Sequence, residues 1–352
     1  MKTWSFGIVG TGMIADFHAQ AIGSLKNARL IGFWGLNPHK TQALANKYQC
    51  NAFSNFEELL NCDEIEILTI ATPSGAHMEP VIEAANHGKH VICEKPMEIS
   101  LKRIDRMIEA HAKAGTNLGG IFNYRFNDAV QLLKEAVDDG RFGKISFASV
   151  QVPWWRSDDY YKNNWHGTWK LDGGGALMNQ SIHMIDLLQY LIGPVSSLHA
   201  YTATIGHSIE VEDTATAILR FKNGALGSIY GSTTSFPGQF RSLTITGTEG
   251  TAVMVENSFK VWQFANQAES DIGILQNLGE IKGGGGISDP SAISFQSHAK
   301  IFEAFIKSIE TRVPFEINGT EARKAVEIVL AIYQSAKEDK PYTFREQVQT
   351  QP

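Results

Sequence analysis

The feature that most constrains the fold of this chain is an alternation of short apolar runs and longer amphipathic segments between Trp4 and about Phe122. The amphipathic segments have the periodicity of helices, and some end at a glycine, as at Gly88 and Gly115. The apolar runs are nearly continuous, which is typical of strands buried on both faces of a parallel sheet. In chain order they are FGIVG, ARLIGFWG, IEILTIAT, HVIC and TNLGGIF. The pattern predicts an α/β domain over residues 1–122, with a doubly wound parallel sheet covered by helices.

After about Asn123 the pattern changes to an alternation of apolar and polar residues, which is typical of strands with one covered face and one open face. The alternating segments are KISFASVQV, VSSLHAYTATI, DTATAILRF, GALGSIYGSTTS, FRSLTITG and GTAVMVE. Helices are predicted over residues 128–137, 176–191, 298–310 and 320–337. Residues 123–352 are therefore predicted to form an α+β domain with a large, open, mostly antiparallel sheet. The four-glycine run Gly283–Gly286 is either a mobile loop near the site or a flexible connection.

Composition excludes several classes of function. The formal net charge is −6, whereas a nucleic-acid-binding surface needs an excess of basic residues. The 3 cysteines have no metal-binding or redox spacing, and so few cysteines fit a reducing compartment. We therefore expect no metal site. We also expect no membrane span, because no run of about 18 apolar residues is present. No signal peptide is recognisable, so the sequence predicts a cytoplasmic protein.

Between the first predicted strand and the first predicted helix lies the motif Gly10-Thr11-Gly12-Met13-Ile14-Ala15. A G-x-G-x-x-A pattern in this position is typical of dinucleotide-binding domains of the Rossmann type. Gly10 makes the tight turn, Gly12 lets the backbone approach a pyrophosphate, and Ala15 lets the helix pack closely on the sheet. We expect the pyrophosphate at the helix N-terminus. The predicted contacts are Gly10, Thr11, Gly12, Met13 and Ile14.

The acidic residue that usually binds the ribose 2′-hydroxyl of NAD is missing from the end of the second strand. Its expected position is near Gly35, and no Asp or Glu occurs between Phe17 and Phe56. A carboxylate would repel a 2′-phosphate, so its absence slightly favours NADP over NAD. The adenosine end of the cofactor is expected near Asn37, His39 and Lys40. The alternative is that His39 and Lys40 form only the solvated start of a helix.

Three further motifs follow the glycine motif: ATPSGAHMEPVIEAANHGKHVICEKP, FNYRFN and GGGALMNQSIHMIDLLQYLIG. In order and spacing, the set resembles the GFO/IDH/MocA oxidoreductase family, which includes glucose–fructose oxidoreductase and inositol dehydrogenase, over nearly the whole chain. The resemblance implies a cis Lys95–Pro96 peptide and a nicotinamide site at the carboxyl edge of the parallel sheet. It also implies cofactor contacts from Ala71, Thr72, Pro73, His77, Glu94 and Lys95.

By the same resemblance, Lys95 is the first candidate for the catalytic base and His183 the second. Many family members carry Asp where this chain has Asn179, and an amide cannot stabilise an imidazolium as a carboxylate does. The sequence therefore favours Lys95 over His183 as the base. Asp186, which lies on the same predicted helix face as Asn179 and His183, is expected to have a packing or capping role. In the implied reaction, a secondary alcohol gives a hydride to the nicotinamide while Lys95 or His183 takes the hydroxyl proton.

The stretch from Pro153 to Gly175 is dense in aromatic and polar residues. It predicts either a sugar-binding wall or an aromatic packing loop. Trp155, Arg156 and Trp165 are its candidate substrate contacts, and the guanidinium of Arg156 is suited to a carboxylate or phosphate.

The resemblance places further residues beside the substrate: Asn123, Arg125, Asn179 and His183. Some relatives also approach the substrate at the position of His298. The aromatic stretch looks like its equivalent in family members that act on nucleotide sugars and related hexoses. We therefore expect a sugar, polyol or nucleotide sugar as the substrate.

Two other functions remain open. Some family members oxidise a sugar transiently to break a glycosidic bond, with no net cofactor turnover. A catalytically silent cofactor-binding sensor is also compatible with Asn179. The family's open sheet usually packs against another subunit, and the apolar faces of DTATAILRF and GALGSIYGS predict a homodimer or homotetramer.

Overall fold

The computed structural model describes residues 2–162, 165–280 and 295–345. The chain forms two compact units, and each unit contains several chain segments. The first unit comprises Met1–Phe126, Asn163–Gly174 and Pro290–Val326, and the second comprises Asn127–Lys162, Gly175–Asp289 and Glu327–Pro352. The first unit thus takes in two segments from later in the chain. The domain boundary predicted after residue 122 stays a prediction.

The first unit is built on a parallel sheet. Its strands are β1 (Trp4–Val9), β2 (Ala28–Trp34), β3 (Asn51–Ala52), β4 (Ile67–Ile70), β5 (His90–Cys93) and β6 (Leu118–Gly120). Its first helices are α1 (Met13–Ser24), α2 (Pro38–Tyr48), α3 (Phe56–Leu60), α4 (Met78–Asn86) and α5 (Leu101–Ala114). The strand order is β3-β2-β1-β4-β5-β6, with every pair parallel. The order reverses between β1 and β4, and open α/β sheets bind ligands at such a switch point.

Burial explains the apolar sequences of these strands. Every residue of β1 and β4 is buried, and only His90 of β5 is not. The doubly wound parallel sheet predicted from the apolar runs is therefore confirmed. The short elements β3 and α3 were not predicted, because two and five residues are too few to show a period.

The second unit is built on a larger sheet. Its strands are β7 (Ile145–Pro153), β8 (Val195–Ala203), β9 (Thr214–Phe221), β10 (Leu226–Ser232), β11 (Ser242–Gly247), β12 (Gly250–Val255), β13 (Ser258–Phe264) and β14 (Tyr342–Thr343). The later helices of the chain are α6 (Asp128–Asp138), α7 (Asp158–Tyr161), α8 (Ile182–Ile192), α9 (Glu269–Leu278), α10 (Gln296–Thr311) and α11 (Gly319–Glu338). Of these, α10 and the start of α11 belong to the first unit.

The strands of this larger sheet lie in the order β13-β12-β11-β7-β10-β9-β8-β14. All pairs are antiparallel except β7 with β10. The predicted sheet is thus confirmed as mostly antiparallel. The strands β13 and β14 and the helix α9 were not predicted.

One face of the second sheet is covered and the other is exposed. In β9, buried residues such as Ala217 and Leu219 alternate with exposed ones such as Ile218. The exposed face carries large apolar side chains, including Tyr201 at 62% and Ile218 at 67% exposure. These side chains fit the predicted homo-oligomer, which stays a prediction.

Two predictions remain, one about the four-glycine run and one about membrane spans. The run Gly283–Gly286 lies outside the described residues. Among the helices that are described, none combines the length and apolar character that a membrane crossing requires.

Candidate active site

The glycine motif forms the turn between β1 and α1. Gly10 has a φ of 118°, and a Cβ there would lie 2.4 Å from the carbonyl oxygen of Ala71, so glycine is required for the strand ends to meet. Gly12 is different, because it is exposed and a Cβ there would meet no atom within 4 Å. It precedes α1 without a side-chain cap. The open space above Gly12, at the positive end of a helix, fits the pyrophosphate of a dinucleotide.

The residues predicted near the adenosine end follow β2. A Cβ at Gly35 would lie 2.7 Å from Cγ2 of Thr11, so the Thr11 side chain takes the space that an acidic residue would need. The Oδ1 atom of Asn37 accepts a hydrogen bond from the backbone N–H of Lys40 and caps α2. His39 and Lys40 are exposed in the first turn of α2. Contact of these side chains with a cofactor stays a prediction.

His77 joins the loop after β4 to the loop after β5. Its side chain is buried, with Nδ1 3.0 Å from the carbonyl oxygen of Pro96 and Nε2 2.9 Å from that of Thr72. Burial lowers the pKa of His77, although these carbonyl groups oppose the shift. Because both ring nitrogens face carbonyl groups of this chain, His77 holds the two loops together. Contact of His77 with the cofactor stays a prediction, as do the contacts of the half-buried residues Ala71, Thr72 and Pro73.

The residue directly after β5 is Glu94, whose carboxylate is buried. Oε1 of Glu94 lies 2.9 Å from Nε2 of His18 and 3.3 Å from Nε2 of His298, and Oε2 accepts a hydrogen bond of 3.0 Å from the backbone N–H of Lys95. Burial alone would raise the pKa of Glu94, but the hydrogen bonds from His18 and His298 outweigh it and hold the pKa well below its usual value. Glu94 is therefore an ionised carboxylate inside the first unit.

Lys95 is half-buried, and the Lys95–Pro96 peptide is cis, as the resemblance implied. Its side chain thus remains partly accessible at the end of β5, beside the ionised Glu94.

Asn123 and Arg125 are also in the first unit, at 4% and 1% exposure. Nδ2 of Asn123 donates a hydrogen bond to Ser297, and Arg125 forms an ion pair of 3.1 Å with Glu321. Arg125 is therefore engaged inside the protein. Substrate contact by either residue stays a prediction.

In the second unit, a π-helical turn (Ala176–Ser181) runs directly into α8. This corrects the single regular helix predicted over residues 176–191. Such π turns are frequent at functional sites. Asn179 in the turn and His183 in α8 are half-buried. Asp186 is fully buried and accepts a hydrogen bond from Gln189, as expected of a packing residue.

A second buried carboxylate anchors the start of this π turn. Oε2 of Glu212 accepts a hydrogen bond from the backbone N–H of Gly175, and Oε1 accepts from the N–H of Leu177 and the hydroxyl of Tyr333. Burial raises the pKa of Glu212 to about 7, although these three donors favour the charged form. Glu212 therefore fixes the segment that carries Asn179 and titrates near neutral pH.

The aromatic stretch contains a buried arginine. Arg156 is 2% exposed, and its Nη2 donates a hydrogen bond of 2.8 Å to Oε1 of Gln180, whose Nε2 donates to the hydroxyl of Tyr160. Trp155 is half-buried and packs edge-on against Phe236. Arg156 thus belongs to a hydrogen-bond network with Gln180 and Tyr160 inside the second unit. This network was not expected from the sequence.

Trp165 belongs to the first unit and stacks on His166, with ring centroids 3.7 Å apart. Substrate contact by Trp155, Arg156 and Trp165 stays a prediction, as does the packing-loop alternative.

Sequence reasoning missed His18 and Glu212. For His18 a signal existed, because Ala15, His18, Ala19 and Ile22 form the buried stripe of α1. A histidine in such a stripe needs a polar partner. Glu212 follows a short loop whose sequence has no period, and nothing in that sequence indicated its burial.

Comparisons with known protein families match both parts of the chain. The family model described as an oxidoreductase family with an NAD-binding Rossmann fold, GFO/IDH/MocA, matches residues 4–120. The model of the GFO/IDH/MocA C-terminal domain matches residues 130–253.

Individual relatives match nearly end to end. The WlbA dehydrogenase of Bordetella pertussis, solved with NADH and UDP-GlcNAcA, is 34% identical, with a TM-score of 0.91 over 98% of this chain and 99% of that one. The WlbA dehydrogenase of Chromobacterium violaceum, solved with the same two ligands, is 32% identical, with a TM-score of 0.89 over 99% and 97%. Myo-inositol 2-dehydrogenase of Thermotoga maritima is 26% identical over 97% of this chain and 98% of its own length.

Alanine at the two glycines of the turn should have different effects. Gly12→Ala should raise the Kd for NADH at least about tenfold and leave the melting temperature nearly unchanged, because its Cβ meets only the space predicted for the pyrophosphate. Gly10→Ala should lower the melting temperature, since its Cβ would strike Ala71. Calorimetry and thermal unfolding measure both effects. Unchanged NADH affinity in Gly12→Ala would show that the pyrophosphate does not lie there.

The raised pKa of Glu212 predicts that the free energy of unfolding depends on pH. Its pKa in the folded chain, about 7, lies above its ordinary value of 4.5, so its contribution to stability is full below about pH 4.5 and is lost as the pH rises through 7. Glu212→Gln should therefore reduce the loss of unfolding free energy between about pH 5.5 and about pH 8 by about 2 kcal/mol. Tyr333→Phe should increase that loss, since it removes a donor to the carboxylate. Denaturant titrations at both pH values measure it, and identical pH dependence in all three proteins would contradict it.

Proposed function

Because this chain belongs to the GFO/IDH/MocA oxidoreductase family, we propose that it transfers a hydride between NAD and a secondary hydroxyl of a UDP-linked uronic sugar. The observation that carries the proposal is the 34% identity, over nearly the full length of both chains, to a dehydrogenase solved with NADH and UDP-GlcNAcA. The Chromobacterium enzyme with the same ligands supports it further. The third relative compared above is named for a polyol, myo-inositol, so it supports the coarser class of hydroxylated substrates.

NAD is the cofactor in this proposal, in place of the slight preference for NADP drawn from the sequence. Thr11 occupies the space beside Gly35. The acidic residue is therefore absent because a side chain does not fit there, and its absence is not a sign that the site accommodates a 2′-phosphate. The first turn of α2 places Lys40 in solvent, with its backbone N–H bonded to Asn37. The two WlbA structures that support the substrate class contain NADH.

In the proposed reaction, a bound NAD would supply the redox chemistry by accepting a hydride from the carbon that bears the hydroxyl. The hydroxyl proton passes to Lys95, with His183 assisting, and the products are a ketone and NADH. The cofactor carries the redox step, while the protein supplies orientation and proton transfer. Lys95 is suited to its role because it is half-buried at the end of β5, at the sheet edge where such folds bind ligands. His183 is suited to its role by its place just after a π turn.

The first test is a substrate comparison. Purified protein with NAD should reduce the cofactor with UDP-GlcNAcA, and kcat/KM should exceed that with UDP-GlcNAc, which lacks the uronic carboxylate, at least about tenfold. Replacing NAD by NADP should lower kcat/KM at least about tenfold, since the Thr11 side chain fills the space beside Gly35, where a 2′-phosphate would have to fit. Nicotinamide absorbance measures both effects.

The alternatives predict other outcomes of this assay. Release of free sugar without accumulation of NADH would favour a redox-assisted glycosidase. NADH binding without turnover, across a panel of sugars, polyols and nucleotide sugars, would favour a sensor. Either result would contradict the proposed dehydrogenase.

The second test concerns Lys95. Lys95→Met should lower kcat about 100-fold or more and leave the Kd for NADH within about threefold, because the methionine keeps the side chain's length but cannot accept a proton. Lys102→Met, at an exposed position in α5, serves as the matched control and should change neither value. Steady-state kinetics and calorimetry provide both numbers. Full turnover in Lys95→Met would remove Lys95 from the mechanism.

A further inference from the structure

Glu94 receives three hydrogen-bond donors from three parts of the first unit. His18 is in the second turn of the glycine-motif helix α1, His298 is in the first turn of α10, and the third donor is the backbone N–H of Lys95. The two imidazoles bind Oε1, and the lysine N–H binds Oε2. The carboxylate therefore joins the cofactor helix, α10 and the lysine backbone through one side chain.

The hydrogen-bond partners define how His18 is protonated. Its Nε2 faces the Glu94 carboxylate and must donate, so its Nδ1 is the acceptor, and the hydroxyl of Thr69 donates to it at 2.8 Å. His18 and Thr69 are both fully buried. Burial lowers the pKa of His18, which keeps this ring neutral and in one orientation. A chain of buried contacts thus runs from β4 through α1 to Glu94.

The side chains of His18, Glu94 and His298 also form a possible metal-ligand set, since one ligand atom from each lies within 4.8 Å of the others. The contacts of 2.9 Å and 3.3 Å to Oε1 are those of N–H groups that donate to a carboxylate. Hydrogen bonding accounts for the arrangement without an ion. The cluster therefore acts through the residue it holds, which is Lys95.

We propose that Glu94, held by His18 and His298, is a positioning residue that orients the Lys95 backbone for proton transfer. This inference rests on the proposed function, in which Lys95 takes the hydroxyl proton. A carboxylate has two acceptor oxygens and can serve all three donors. The amide of glutamine has one acceptor oxygen and an NH2 group that only donates. Either the imidazoles then face a donor and must change tautomer, or the Lys95 N–H loses its acceptor. Such a change moves Lys95 without removing it.

A double-mutant cycle on kcat tests this inference. Glu94→Gln should lower kcat at least about tenfold in the natural chain and less than about twofold in the Lys95→Met background, since Glu94 acts through Lys95. The KM for UDP-GlcNAcA and the Kd for NADH should stay within about threefold. His18→Leu, at a site that is fully buried, should show the same loss of effect in the Lys95→Met background.

Glu98→Gln is the matched control. Its carboxylate accepts hydrogen bonds from the backbone N–H groups of Ile99 and Ser100 and from Arg103, so it has a similar structural role a few residues away, with backbone donors other than the Lys95 N–H. It should lower the melting temperature and leave kcat within about threefold.

The outcomes separate the two claims. If the unsubstituted protein does not reduce NAD with UDP-GlcNAcA, the proposed function fails. If Lys95→Met keeps full activity, Lys95 is not the base, and the positioning role fails with it. If Lys95→Met is impaired but Glu94→Gln lowers kcat equally in both backgrounds, only the positioning role fails. One equivalent of a transition metal in the purified protein that is lost in Glu94→Gln would also overturn the positioning role.

Discussion

The chemistry of the first unit depends on the burial of its parallel sheet on both faces. Strands such as β1 and β4 are buried at every residue and contain no ionisable side chain; a small polar residue such as Thr69 is buried with a hydrogen-bond partner. Charged groups lie beyond the ends of these two strands, where the chain turns into loops and helices. The glycine turn after β1 and the Glu94–Lys95 step after β5 are two of the places where the sequence departs from apolar residues, and both lie at the carboxyl ends of strands.

Two buried glutamates show how the surroundings give the same side chain different properties. Burial raises the pKa of both, but the hydrogen bonds from His18 and His298 outweigh it at Glu94 and lower its pKa. At Glu212 burial dominates, and the pKa rises to about 7. Glu94 thus provides a permanent charge beside Lys95, whereas Glu212 holds the start of the π turn through a group that titrates near neutral pH.

Much of the fold was predictable because its signals are local and repeated. The long strands and helices of the first unit, the glycine turn and the covered face of the second sheet follow from periodicity and glycine placement. The short elements β3 and β14 and the π turn before α8 were not predictable, because they depend on pairing or packing with distant segments. The same holds for the sites of Arg125 and Arg156, since the sequence shows a cation but not its partner, which is Glu321 for Arg125 and Gln180 for Arg156.

The candidate site was predictable at the level of motifs and not at the level of networks. The motifs indicated Lys95 and His183, and the structure places both at half-buried positions. The partners of Glu94 come from positions 18 and 298, and no local pattern joins residues so far apart in sequence. His77 is a further example, because its two carbonyl partners are contributed by separate loops.

The most direct measurement is a crystal structure of the protein with NAD and UDP-GlcNAcA bound. It should show Nζ of Lys95 within about 3.2 Å of a sugar hydroxyl whose carbon lies within about 3.5 Å of nicotinamide C4. It should also show the pyrophosphate above Gly12. A Lys95 side chain turned toward solvent, with that hydroxyl bonded to other groups, would contradict the account.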